Sequence, residues 1–459
     1  MPLKTIFRKW VSKVLAERLS SFLPLIVSES QFGFVKGRNI HDCHMIASEI
    51  IHLVHSRREK VIMVKLDFKK AFDSVSWSFI ISMLKRMNFD EVWINWISSL
   101  FKSSQLSVLI NGSPTENFFM EKGVRQGDPI SPLLFVLAVE GMRAIFDEAI
   151  SLGLIDGIQI DGYRKPVLLF QFADDTLKSS VTGINLDDHS MGLAAEILTC
   201  KIDSFPITYL GLPLSLKKPT AKQWDPIVQN FSSQLSSWRG SLLSPAAPVS
   251  VLNSLEKYMR NFLWNGSING NYFSKVAWRD VCSPFLDGGL NIIPLRLKNR
   301  CLLFKWIWKL MNANYNSLWF LVVNSSCAFK FWFELFSGNT ARYSHLWRGI
   351  INCCLSNEDS WNIFYSNISF SLGIGNRLRF WHDKWIGEDR LSSSFPRLFK
   401  VSRSPNIMVV QVFENDQFDR SSLIWKRSLR LGEKEDLNQL QLLMETVTIN
   451  NLQQDVFSG

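Results

Sequence analysis

Residues 167–180 read VLLFQFADDTLKSS, an apolar run that ends in two adjacent aspartates, Asp174 and Asp175. Neighbouring carboxylates repel, and holding either at the end of a buried strand is costly unless positive charge lies between them. A hard divalent cation removes that cost. Because side chains alternate across a strand, adjacent aspartates serve one metal site well only at a turn, where the alternation breaks. PVLLFQF before the pair and TLKSSV after it are expected to form a hairpin around it. An aspartate pair alone is also a common surface-turn sequence, so its meaning depends on the rest of the chain.

A second strand end supplies the complement. VIMVKLDF, residues 61–68, is rich in branched apolar residues and closes on a charge, the pattern of a buried strand delivering Asp67 at its edge. Asp67 is the leading candidate for a third carboxylate. Three such groups suit two Mg²⁺ ions, which can activate an attacking 3′ hydroxyl and stabilise a leaving pyrophosphate. That chemistry is nucleotidyl transfer.

Around these strands the spacing predicts a helix over 6–23, stopped by Pro24, and a second over 41–57. His41, His44, His52 and His55 fall on one side of the second helix; with no carboxylate or cysteine cage beside them they read as a polar face. Ser76 can cap a helix with Phe79, Ile80, Met83, Leu84 and Met87 as its apolar stripe. QLSVLINGSPTENFFMEKGV reads as two strands joined around NGSP. Ser131 and Pro132 announce another helix. Strand pairs alternating with helices imply an α+β fold with an antiparallel sheet.

The 459 residues, 46% hydrophobic and 13% aromatic, suffice for several cores and exclude a disordered chain. A net charge of +10 favours an anionic partner such as nucleic acid. Seven cysteines without a CxxC pair argue for a reducing compartment and against a disulfide scaffold or zinc knuckle. No apolar run is long enough for a bilayer crossing, so a soluble intracellular protein without membrane partners is expected, nucleus and cytoplasm being undistinguished.

In chain order come VKLDFKKAFDSVSW, GVRQGDPISPLLF and FQFADDTL. This set resembles the reverse transcriptases, specifically the RNA-directed DNA polymerases of plant LINE-type (non-LTR) retrotransposons. The resemblance extends over VSKVLAERLSSFLPLIVSESQFGFVKGRNIHD, SFPITYLGLPLSLKKPT, the Trp-rich KVAWRDVCSPFLDGGLNIIPLRLKNRCLLFKWIWKL, and LGIGNRLRFWHDKW. It implies a right-hand polymerase with partial fingers at 1–60, a palm at 61–215, a reduced helical thumb at 216–310 and a Trp-rich tail of uncertain structure at 311–459. It also implies an RNA template, a DNA primer, dNTPs and two Mg²⁺ ions.

Matched residue by residue, Asp67, Asp174 and Asp175 become the catalytic metal ligands, assisted by the Phe68 carbonyl. Phe72 lies where an aromatic ring packs on the incoming sugar and selects deoxynucleotides. Gln126 and Gly127 match the loop at the nascent base pair, and Tyr209, Leu210 and Gly211 the hairpin that grips the primer end. Lys36, Arg38 and Arg125 are candidate contacts to template or primer phosphate, and Lys178 is a candidate proton donor to pyrophosphate. The tryptophans after residue 224 read as core aromatics more than as base-stacking platforms.

The chain also departs from the pattern. The first fingers motif, an endonuclease, a ribonuclease H domain and a cysteine-rich segment have no counterpart. The passage from Leu177 to Lys178 reads as the loss of a palm helix, and that from Ser254 to Leu255 as the loss of a thumb segment. A truncated, internally deleted chain is therefore expected. A catalytically inactive remnant, or a mis-spliced reading frame that at most binds nucleic acid, is the alternative. An RNA-dependent RNA polymerase fits less well, because FADD stands in place of GDD and Phe72 in place of a polar residue.

Overall fold

The computed structural model describes residues 3–66, 70–168, 180–234, 248–265, 274, 276–329, 331–337, 340–356, 358–414, 417–447, 449 and 454–458. Two compact units emerge: one takes in 1–299, 314–328 and 341–348, the other 300–313, 329–340 and 349–459. The architecture is mixed α+β, with many helices and small sheets.

In the first unit α1 (Leu3–Ile26) and α2 (Ile40–Arg57) precede β1 (Val61–Lys65). Then come α3 (Ala71–Ser74), α4 (Trp77–Arg86), α5 (Glu91–Lys102) and a ribbon of β2 (Gln105–Leu106), β3 (Leu109–Ile110), β4 (Ser113–Pro114) and β5 (Phe118–Phe119). α6 (Ser131–Ser151) is followed by β6 (Ser180–Ile184), α7 (Asp188–Leu198), β7 (Lys201–Ile202), β8 (Ile207–Tyr209) and β9 (Leu212–Leu214). α8 (Asp225–Gln234), α9 (Val249–Asn265) and α10 (Trp278–Val281) continue the chain; α11 (Leu295–Met311) belongs mostly to the second unit, and α12 (Leu318–Cys327) to the first.

The main core gathers Leu15, Leu19 and Leu23 of α1, Ile80 and Leu84 of α4, Ile97 of α5, and Leu134 and Leu137 of α6. α1 runs through Pro24, the expected stop, into its last turn. There the missing N–H forfeits one backbone bond while the rest of the turn persists. In the ribbon, Asn111 and Gly112 take φ of +50° and +83°, the two-residue turn that an Asn-Gly pair favours. β3 pairs with β4, and β2 with β5, as the sequence implies.

β1 and β6 pair antiparallel, from Val61 opposite Ile184 to Lys65 opposite Ser180, and β7 adds to β6 in parallel through the crossover helix α7. The β1 strand differs from the buried strand expected: Ile62 and Val64 are 44% and 38% exposed. One face of this strand is thus open among the described residues.

α2 corrects another expectation. Asn39 and Asp42 cap it reciprocally, and nearly its whole length is buried, including His44, Ser48 and Glu49. Of the expected polar face, His44 is buried and His41 and His52 are half-buried, because β6, β9 and α12 pack against this helix, while His55 stays exposed. At Ser254 and Leu255, α9 continues without a break and Leu255 is buried. No described helix is long and apolar enough to cross a membrane.

The second unit centres on aromatic and ionic packing. Residues 369–371 pair antiparallel with 456–458, and Trp381 and Phe380 are fully enclosed. Asp383, also buried, accepts from the Arg379 backbone N–H at 2.6 Å, from Arg379 Nη2 at 2.9 Å and from the Tyr365 hydroxyl. The Arg379 guanidinium lies 4.8 Å from the Phe333 ring centroid and 5.6 Å from that of Trp332.

Candidate functional site

The pairing register of β1 sets which ends of the two strands lie together. Lys65 opposite Ser180 is the last pair, so the chain leaves β1 toward Asp67 and enters β6 from the direction of Asp175 at the same end of the two strands. Asp67, Phe68, Asp174, Asp175, Lys178 and the Leu177 join lie outside the described residues. Among the described residues no group of three His, Cys, Asp or Glu side chains could hold a metal ion.

Two further motifs do converge. Val124 N–H donates to Phe72 O and Gly123 N–H to Val75 O, each at 2.7 Å, while Trp77 Nε1 donates to Gly123 O at 2.7 Å. Gly123 is required there. Its φ is +80°, and a Cβ would lie 2.6 Å from Asp73 O. This stitching brings Gln126 to Asp73, whose Oδ1 accepts from Nε2 at 3.3 Å. Phe72 is half-buried and stacks on Phe135 with ring centroids 4.7 Å apart. Gln126 and Gly127 stay exposed, and Arg125 donates to Gln105 O at 3.3 Å.

β8 and β9 form the expected hairpin, turning at Leu210 (φ +53°) and Gly211 (φ +76°). Two tethers fix its position. Lys65 Nζ donates to Thr208 O at 2.8 Å, and Cys43 Sγ lies 3.0 Å from Tyr209 Oη. Burial pushes the Cys43 thiol up to about 12, so it is a neutral hydrogen-bonding group and a poor nucleophile. Sequence reasoning missed Lys65, Cys43 and Asp73.

Lys36 is exposed, whereas Arg38 turns inward. Its guanidinium donates to the carbonyls of Ser28 and Gln31, the latter at 2.6 Å, and burial lowers its pKa. Arg38 therefore braces the loop between α1 and α2.

α2 itself carries unusual electrostatics. Glu49 is fully enclosed and accepts hydroxyl bonds from Ser326 at one oxygen and Ser344, at 2.6 Å, at the other. Burial pushes its carboxyl up to about 7, with the two hydroxyls pulling the other way. Burial pulls His44 down to about 4, with His41 and His345 adding to the fall. His345 is likewise lowered to about 4 by burial, then by His52, Arg348 and Lys218.

The stitched Phe72–Gly123 loop and the tethered β8–β9 hairpin can be set beside comparisons with known proteins. Residues 2–198 match the reverse transcriptase (RNA-dependent DNA polymerase) family. The reverse transcriptase match covers α1 to α7 and all the motifs up to the aspartate pair. A transposon TX1 protein of 149 kDa from Xenopus laevis is 22% identical over 373 residues, 69% of this chain and 28% of its own. The Pol polyprotein of a type-1 retrotransposable element R2 from Popillia japonica is 30% identical over 172 residues, 37% of this chain and 23% of its own. A putative ribonuclease H protein of Arabidopsis thaliana is 26% identical over 204 residues, 38% of this chain and 31% of its own. The chain thus spans less than a third of the length of each of these relatives.

Proposed function

We propose that this chain is the polymerase part of a non-LTR retrotransposon reverse transcriptase, adding deoxynucleotides to a primer 3′ end on an RNA template. The observation that supports the reading is the β1–β6 register, whose last pair is Lys65 opposite Ser180, two positions before Asp67 and five after Asp175 in the chain. The reverse transcriptase match over 2–198 supports it.

Three carboxylates are hard oxygen donors, and this donor set suits Mg²⁺. Asp67, Asp174 and Asp175 would hold the metal, with the Phe68 carbonyl beside them; when bound, two Mg²⁺ ions supply charge stabilisation for the attacking and leaving oxygens. The chain's own residues position the reactants. Phe72, backed by Phe135, presents a rigid ring that disfavours a ribose 2′ hydroxyl. Gln126, held by Asp73, and Gly127 face the nascent base pair. Tyr209, Leu210 and Gly211 hold the primer end on a hairpin whose placement depends on Lys65 and Cys43. Lys36 and Arg125 meet nucleic-acid phosphate, and Lys178 donates the proton that the leaving pyrophosphate needs. In this reading residues 1–60 act as fingers, 61–215 as palm, 216–310 as thumb and 311–459 as an accessory tail.

The test is extension of an annealed DNA primer on an RNA template by purified chain with Mg²⁺ and dNTPs. Extension that Asp174→Ala abolishes is the expected result; wild-type extension no greater than that of the variant rejects catalysis. A parallel reaction with rNTPs probes Phe72, and a clear ribonucleotide preference overturns its assigned role.

A further inference from the structure

α1 carries two apolar stripes where a surface helix needs one. Leu15, Leu19 and Leu23 enter the core, while Phe7, Trp10 and Val14 lie on another side, with Phe7 74% and Trp10 71% exposed. Across from this second stripe stands Trp96 of α5, 45% exposed. Between α1, α5 and the foot of the β2–β5 ribbon lies a groove of about 1070 Å³ lined by these rings together with Arg8, Arg18 and Arg125.

The cations are underneutralised. Arg8 donates to Ser103 O at 3.1 Å and to Ser104 Oγ at 2.7 Å, and its pKa is lowered by burial and then by the neighbouring Arg125. Asp128, which accepts from Ser12, offsets part of this charge. Lys9 and Lys13 stand exposed on the same helix, Lys13 near Glu17 at 4.0 Å. Aromatic faces interleaved with excess guanidinium charge match a ligand that alternates flat apolar rings with anionic groups. A duplex offers phosphates while keeping its base faces stacked, which would leave Trp10 and Phe7 uncovered.

We propose that this groove binds the unpaired strand of a nucleic acid, bases stacking on Trp10 and Trp96 and phosphates meeting Arg8, Arg18 and Arg125. The inference rests on the polymerase reading and deepens it. Arg125 adjoins the Gln126–Gly127 loop, so an unpaired template held in the groove is continuous with the proposed site. The stacking residues follow from the geometry of α1 and α5, which no motif marks.

The experiment uses the full chain in EDTA with labelled single strands of about 12 nucleotides, RNA and DNA in separate arms, and a blunt duplex of equal length. Single strands are expected to bind tighter than duplex, to quench tryptophan fluorescence, and to lose about tenfold or more in affinity in the Trp10→Ala/Trp96→Ala variant. Trp10→Phe, which keeps a stacking ring, should retain most binding. Thermal melting confirms that the variants fold. Duplex preference, or unchanged single-strand affinity in the folded double variant, overturns the proposal. So does a concentration-dependent dimer that Trp10→Ala abolishes, because the groove would then join two copies. Extension on templates with short and long unpaired overhangs separates the two readings. Single-strand binding without extension sinks the polymerase reading and leaves the groove. Extension whose overhang dependence ignores the tryptophan changes sinks the groove and leaves the polymerase.

Discussion

The two units bury polar groups by opposite means. In the first, α2 encloses Glu49 against two serine hydroxyls and His44 against the Pro213 backbone and other histidines, and among the described residues no opposite charge bonds to either. Both are therefore held toward their neutral forms. In the second, Asp383 is buried against the Arg379 guanidinium. Asp455 accepts backbone N–H bonds from Gly373, Gly375 and Arg377, each at 2.8 Å. A group buried neutral costs little at one pH and much at another. A group buried against charged or backbone partners depends heavily on each of them.

Asp383→Ala should have the largest effect on stability. It leaves Arg379 among aromatic rings without its carboxylate, and a loss of about 3–5 kcal/mol is expected in denaturant unfolding of the second unit. A loss as small as that of a surface change would erase the contrast between the units.

Glu49→Gln keeps the hydroxyl bonds and removes the ionisation. In the wild type the folded carboxyl binds its proton more tightly than the unfolded one, so its contribution to stability falls as pH rises from about 4.5 to about 7. The variant should match wild type in acid and exceed it above that window, by up to about 3 kcal/mol. His44 and His345 run the other way, their folded pKa values being lowered from 6.5 to about 4, so stability is lost as pH falls through that interval. In wild type the two trends oppose each other between about 4.5 and 6.5. Glu49→Gln should therefore unmask a steeper rise of stability with pH, and an unchanged pH profile would show that Glu49 ionises freely.

Asp455→Asn should cost about 1–3 kcal/mol, because an amide cannot accept all three N–H bonds with the same strength. Hydrogen exchange at Gly373, Gly375 and Arg377 should quicken first. The smallest effect is expected for Cys43→Ala, about 1 kcal/mol, through loss of the neutral thiol contact to Tyr209. A larger loss of primer affinity than of stability would show that this tether acts through the hairpin.

The legible parts of the fold were those whose cause is local. Asn111-Gly112 announces its own turn, and the apolar stripe of α4 places Ile80, Met83 and Leu84 in the core. The β1 strand and the β8–β9 hairpin were also visible, because each is a short word with a local requirement. Burial of α2 was not. Its histidines lie on one helical side whichever environment covers them, and the covering segments lie far along the chain. The bond from Lys65 to Thr208 spans 143 positions and that from Ser344 to Glu49 spans 295. No periodicity encodes such pairs. The underused stripe of Phe7, Trp10 and Val14 was similarly hidden, since spacing identifies an apolar face but not which face the core takes.

The distance from Glu49 to Ser344 also sets a timetable. α2 is synthesised early, yet the hairpin that meets Cys43 ends at residue 214 and the serine that closes over Glu49 comes at 344. Until then the emerging chain carries an unfinished helix face, and contacts of such long sequence separation form slowly. Fragments cut between residues 214 and 344 should therefore aggregate or recruit chaperones, even though the segment that matches the reverse transcriptase family is complete in them.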